Sequence, residues 1–135
     1  MLKHKLPSMK KYLILPLLCF VMVAKAQLLT WTPDFIKEAS TPITITVDAN
    51  KGNLGLKGYT PTTDVYVHIG VITNKSASST DWKYSKFTWA TTNVQAQCTY
   101  LGSNKWKYTI TGGLRTYFNI TDGTETIKKI AILFR

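Results

Sequence analysis

The chain predicts an all-β fold, with antiparallel strands packed as a sandwich, and three observations carry that expectation. Apolar and polar residues alternate with period two in several short runs. Turn-forming residues separate those runs at short intervals, and no long stretch sustains the apolar spacing of an amphipathic helix. With 135 residues, 44% of them hydrophobic, the chain suits one globular domain rather than two.

The first 26 residues stand apart. Lys10 and Lys11 precede an apolar run from Leu13 to Val23, and Ala24-Lys25-Ala26 supplies the small residues a signal peptidase needs before Gln27. The run is about 11 residues long, against roughly 20 for a membrane span. Residues 1–26 therefore read as a cleavable Sec signal peptide, with Met9 an alternative start, and 27–135 as the exported module, free of the membrane after cleavage. Removal also takes five lysines, so the charge falls from +10 to +5, with 12 basic residues against 7 acidic ones.

Along the module, a short run from Leu28 to Thr32 opens the domain. Ile43, Ile45 and Val47 alternate with Thr44, Thr46 and Asp48; Val65, Val67 and Ile69 alternate with Tyr66, His68 and Gly70. Further β-rich runs cover Trp82 to Trp89, Ala96 to Leu101, Lys105 to Thr111 and Thr126 to Phe134, about seven strands in all. Gly102-Ser103-Asn104 marks a tight hairpin, Asp122-Gly123 another turn, and Lys51 to Pro61 and Ser76 to Asp81 are loops; Leu114 to Ile120 has room for one helical turn. Strands of this number and spacing favour an antiparallel β-sandwich of immunoglobulin-like type. The predicted core includes Ile45, Val47, Val65, Val67, Trp106, Tyr108, Ile130 and Ile132. The last strand is apolar on both faces, so it is expected to be central or covered. That the sequence stops there suggests either a truncated gene or a module cut from a longer protein.

Chemistry is sparse. The module holds one histidine, one cysteine and seven scattered carboxylates, without a metal-binding, nucleophile or phosphate-loop motif, so neither catalytic nor metal-ligating residues nor a cofactor are expected. Asp64 and Asp81 read as loop-ending residues rather than an acid–base pair. Asp48, Asn50 and Gly52 are spaced like the start of a calcium loop, but Tyr59 stands at the twelfth position, where a bidentate Glu belongs. Cys98 has no cysteine to pair with after signal cleavage. Basic residues interleaved with aromatics (Lys83, Lys86, Lys105, Lys107, Arg115) would suit a phosphate backbone, but export argues against nucleic acid.

Aromatics give the stronger signal. Trp31, Trp82, Trp89, Trp106 and six tyrosines exceed what a core of this size needs. With Val65 and Val67 inward, Tyr66 and His68 face outward two residues apart, and Gly70 leaves open surface beside them; Trp82 and Tyr84 repeat that spacing on the next run. Trp106, by contrast, belongs to the core. Exposed flat rings suit carbohydrate, whose C–H faces stack on aromatic planes while hydroxyls find polar partners. The candidate carbohydrate-binding residues are Tyr66, His68, Trp82 and Tyr84.

The blocks Asp64-Val65-Tyr66-Val67-His68-Ile69-Gly70-Val71-Ile72-Thr73, Asp81-Trp82-Lys83-Tyr84 and Ile130-Ala131-Ile132-Leu133-Phe134-Arg135 together resemble the N-terminal immunoglobulin-like module of secreted α-amylase-type glycoside hydrolases and related starch-utilisation proteins of Bacteroidetes. The resemblance runs from about Thr30 to Arg135. It implies a non-catalytic starch- or α-glucan-binding accessory module, secreted, periplasmic or at the cell surface, beside a catalytic domain absent from this chain. It also implies sugar contacts from Tyr66, His68 and Trp82. The alternative is an immunoglobulin-like spacer with no ligand of its own.

Overall fold

The computed structural model describes residues 27–135, so the signal-peptide reading of 1–26 lies outside the described residues. The described residues form antiparallel β-sheets with little helix, consistent with an all-β fold. Their strands are β1 (Leu29–Thr32), β2 (Ile43–Asp48), β3 (Val67–Thr73), β4 (Thr99–Gly102), β5 (Lys105–Ile110) and β6 (Ile127–Phe134), with one short α-helix among the described residues, α1 (Leu114–Phe118). A four-stranded sheet has the order β1-β2-β5-β4, and β3 pairs with β6 in a second sheet.

Period-two alternation produced what it should in β2, β3 and β5. Ile43, Ile45 and Val47 of β2, Val67, Ile69 and Val71 of β3, and Trp106, Tyr108 and Ile110 of β5 are buried in one cluster, to which both sheets contribute. Removing this apolar surface from water is the main stabilising term. The buried polar tips are paired: Trp106 Nε1 donates to the Thr62 carbonyl at 2.8 Å, and the Tyr108 hydroxyl to the Gln95 carbonyl at 2.9 Å. Cys98 is buried as a free thiol, and desolvation pushes it up to about 12.

The β4–β5 hairpin closes at Ser103 and Asn104, both left-handed at φ 50° and 58°, as a two-residue turn with the twist of its strands requires. The Asn104 side chain fastens the glycine-rich loop to this hairpin, accepting from Gly58 N at 3.0 Å and donating to Asn50 Oδ1 at 3.0 Å.

Three expectations need correction. The run Trp82 to Trp89 is not a strand; it follows β3 in turns and bends, with a single bridge between Val71 and Lys83, because Tyr84 is left-handed at φ 53° and breaks the pleat. The described residues therefore form six strands rather than about seven. Residues 94–96 are likewise a 3₁₀ turn, so β4 starts only at Thr99. The last strand, β6, is neither central nor covered by the described residues: among them it pairs with β3 alone, Ile130 and Ile132 are only half-buried, and Leu133 is 48% exposed.

Candidate functional site

The outward face of the β3–β6 sheet gathers the aromatic residues. Tyr66 opposes Arg135, bonded through both backbone pairs at 2.8 and 2.9 Å, and His68 opposes Leu133. The side chains of Tyr66, His68, Leu133 and Arg135 thus share one face. His68 is stacked against Trp82, with ring centres 5.7 Å apart and planes 17° from parallel. Trp89 meets the same imidazole edge-on at 5.0 Å and 89°. The Arg135 guanidinium lies 5.6 Å from the Trp89 ring and 5.9 Å from Tyr66, within cation–π range, and its Nη2 donates to the Thr91 carbonyl at 2.5 Å.

Backbone contacts explain how Trp82 reaches His68. Lys83 N donates to Val71 O at 2.8 Å, Val71 N returns a bond to Lys83 O at 2.9 Å, and Lys86 N donates to Ile69 O at 2.9 Å, so the segment after Trp82 is laced along the edge of β3 away from β6. Gly70 makes this approach possible, because a Cβ there would lie 2.9 Å from the Lys83 carbonyl oxygen. This corrects the sequence reading of Gly70 as open surface: it is buried under the crossing backbone.

The structure brings Tyr66, His68 and Trp82 to one patch and leaves Tyr84 out of it. The Tyr84 hydroxyl donates to Glu125 Oε2 at 2.6 Å, while the Thr73 hydroxyl donates to Oε1 of the same carboxylate at 2.6 Å. These bonds, Thr73 first and Tyr84 second, hold Glu125 below the usual carboxylate range. The Tyr84 ring is a strut tied to Glu125 rather than a neighbour of Trp82. Trp89 and Arg135 join the patch instead, and sequence reasoning missed both. Trp89 read as the far end of a strand, and Arg135 enters through a cross-strand register that no local pattern reports.

The patch is apolar with a cationic margin. Trp89 is 55% exposed, whereas Tyr66, His68 and Trp82 are half-buried. His68 Nδ1 and Arg135 Nε are enclosed without a hydrogen-bond partner among the described residues, so the imidazole is held there by ring contacts more than by polar ones. Beside Trp82, Lys83 Nζ lies 3.0 Å from Asp81 Oδ2, and that oxygen also accepts from Ala77 N at 2.8 Å. Asp81 is held below the ordinary carboxylate range chiefly by the Ala77 bond and next by Lys83, which makes it a loop brace. Asp64 accepts from the Tyr59 hydroxyl at 3.2 Å, and Asp48 Oδ1 accepts from both nitrogens of Asn50 at 3.1 and 3.0 Å. The arrangement suits binding a flat apolar surface. Comparison with protein-family models and with curated proteins gives no match to this chain.

Proposed function

We propose that this chain is an exported, non-catalytic carbohydrate-binding module for starch or a related α-glucan, built as an immunoglobulin-like sandwich and working beside a catalytic domain of a polysaccharide-degrading system. The observation that carries the reading is the ring cluster around His68, with an exposed Trp89 face next to the Trp82 stack. A pyranose C–H face meets an indole plane with little loss of ordered water, and the Arg135 guanidinium, 5.6 Å from the Trp89 ring, stands close enough to serve hydroxyl groups. Because Nδ1 of His68 is enclosed, a sugar hydroxyl would meet its Nε2. Tyr84 drops out of the proposed contact set, and Trp89 takes its place. Two sheets contributing to one apolar core support the sandwich.

Calorimetry with maltoheptaose tests the reading. Trp89→Ala and Trp82→Ala should each weaken binding by about 1–3 kcal/mol while circular dichroism shows the fold retained. Affinity should change little between low and moderate salt, whereas a phosphate-backbone ligand would weaken steeply. Export predicts an N-terminus at Gln27 by mass spectrometry of protein recovered outside the cytoplasm.

A second reading, an immunoglobulin-like spacer without a ligand, draws on the same rings: His68 already has Trp82 on one side and Trp89 on another, so the cluster can serve as a packing unit. Failure of insoluble starch to remove the wild-type protein from solution would favour it.

A further inference from the structure

On the opposite border of the β3–β6 sheet, no strand of the described residues occupies the position beside β6. Leu29, Ile36, Ile45, Leu114, Ile130 and Ile132 line a groove of about 660 Å³ between β1, an edge of the larger sheet, and β6, the edge of the smaller one. It adjoins a second hollow of about 540 Å³ running toward Leu56 and Phe134. Both flanking strands offer backbone groups to it. The Tyr66–Arg135 pair exchanges both hydrogen bonds, so alternation along β6 turns the N–H and C=O groups of Ile130, Ile132 and Phe134 away from β3. Asp48 N donates to Leu28 O at 2.9 Å, and the same alternation turns those of Leu29 and Trp31 away from β2. The side chains of these five residues border the two hollows, so apolar surface coincides with backbone groups that no strand of the described residues pairs.

The end of the edge is defined. Ile127 N donates to Glu38 Oε1 at 2.9 Å, and Glu38 Oε2 is paired with Arg115 at 3.3 Å, so the carboxylate occupies the last edge position and is already neutralised. Beyond it the rim is basic: Lys37, Lys128 and Lys129 are exposed around the groove mouth.

The geometry points to β-strand addition: this groove accepts an extended segment of another polypeptide, with alternating apolar side chains and acidic flanks, pairing with Ile130, Ile132 and Phe134 of β6. Charge decides between the occupants. A second copy of β6 would bring its own Lys128, Lys129 and Arg135 to a rim that is already basic, whereas acidic flanks complement it. The site is separate from the His68 cluster, which lies on the other face of the same sheet, and it does not depend on glucan binding.

The probe is the peptide acetyl-DEVTVTVTVED-amide, with acetyl-KKVTVTVTVKK-amide as its charge-reversed control, titrated into the full-length mature protein and followed by amide NMR and hydrogen exchange. The acidic peptide should slow exchange at the amides of Ile130, Ile132 and Phe134 at least tenfold, leave those of β5 unchanged, and bind at least tenfold more tightly than the basic control at low salt. Lys128→Glu combined with Lys129→Glu, at exposed positions, should reverse the preference between the two peptides. Absence of protection at those three amides, equal binding of both peptides, or protection arising without peptide in a dimer seen by sedimentation would each overturn the proposal.

Discussion

β5 and β6 are both apolar on their inner faces, yet they sit in opposite circumstances. β5 lies between β2 and β4, and its alternation is fully used: Trp106, Tyr108 and Ile110 are buried, while Lys105 and Thr109 are exposed. Among the described residues β6 has a neighbouring strand on one side only, and its second apolar set has no polar alternative: Ala131 and Leu133 stand where β5 carries Lys107 and Thr109. A strand that alternates cleanly needs one covered face; one that is apolar on both needs two. The difference teaches that apolar surplus on a strand marks where a further contact belongs, and β6 borders both the ring cluster and the open groove.

The largest effect that would test this contrast is Trp106→Ala, which should destabilise the fold by about 3–5 kcal/mol in urea unfolding, against about 1–2 kcal/mol for Ile132→Ala on the half-covered strand. Equal losses would mean that β6 is covered in solution. Next, Gly70→Ala should cost about 1–3 kcal/mol, because its Cβ meets the Lys83 carbonyl; the near-ultraviolet dichroism of the Trp82 stack should weaken with it. If that signal is unchanged, the crossing segment does not position Trp82.

A smaller effect concerns acid. Glu125 has its folded value depressed from the ordinary 4.5, first by Thr73 and then by Tyr84. Its contribution is present above the unfolded value and fades as pH falls through the lower folded one, so Glu125→Gln should flatten the acid limb of the stability profile below about pH 4.5. An unchanged acid limb would remove the carboxylate's role. The smallest effect is Leu133→Thr, at a 48% exposed position, which should alter stability by no more than about 0.5 kcal/mol.

Much of the fold was legible because period two is a direct report of a half-buried strand. Ile43 to Val47, Val65 to Ile69 and Lys105 to Ile110 alternate, and all sit in strands or beside them. The hairpin was legible because Gly-Ser-Asn permits left-handed backbone at consecutive positions. Trp82-Lys83-Tyr84 imitates the same alternation, but whether that segment pleats depends on a left-handed Tyr84 and on a crossing over Gly70, both set by tertiary contacts. The candidate site followed suit: the outward direction of Tyr66 and His68 came from alternation within one strand, while Trp89 and Arg135 came from contacts between segments far apart in sequence. Apolarity on both faces of β6 was visible, but a sequence does not say which edge stays free.

Cys98 carries a consequence of its own. Its amide donates to Val65 O at 2.8 Å where the chain joins the two sheets, and with a thiol near 12, on the order of one molecule in 10⁴ holds a thiolate at pH 8. Alkylating reagents and small disulfides therefore meet an inert sulfur until the sheets part. The rate at which iodoacetamide labels Cys98 in the folded protein then reports how often this junction opens, the single native gauge of breathing among the described residues.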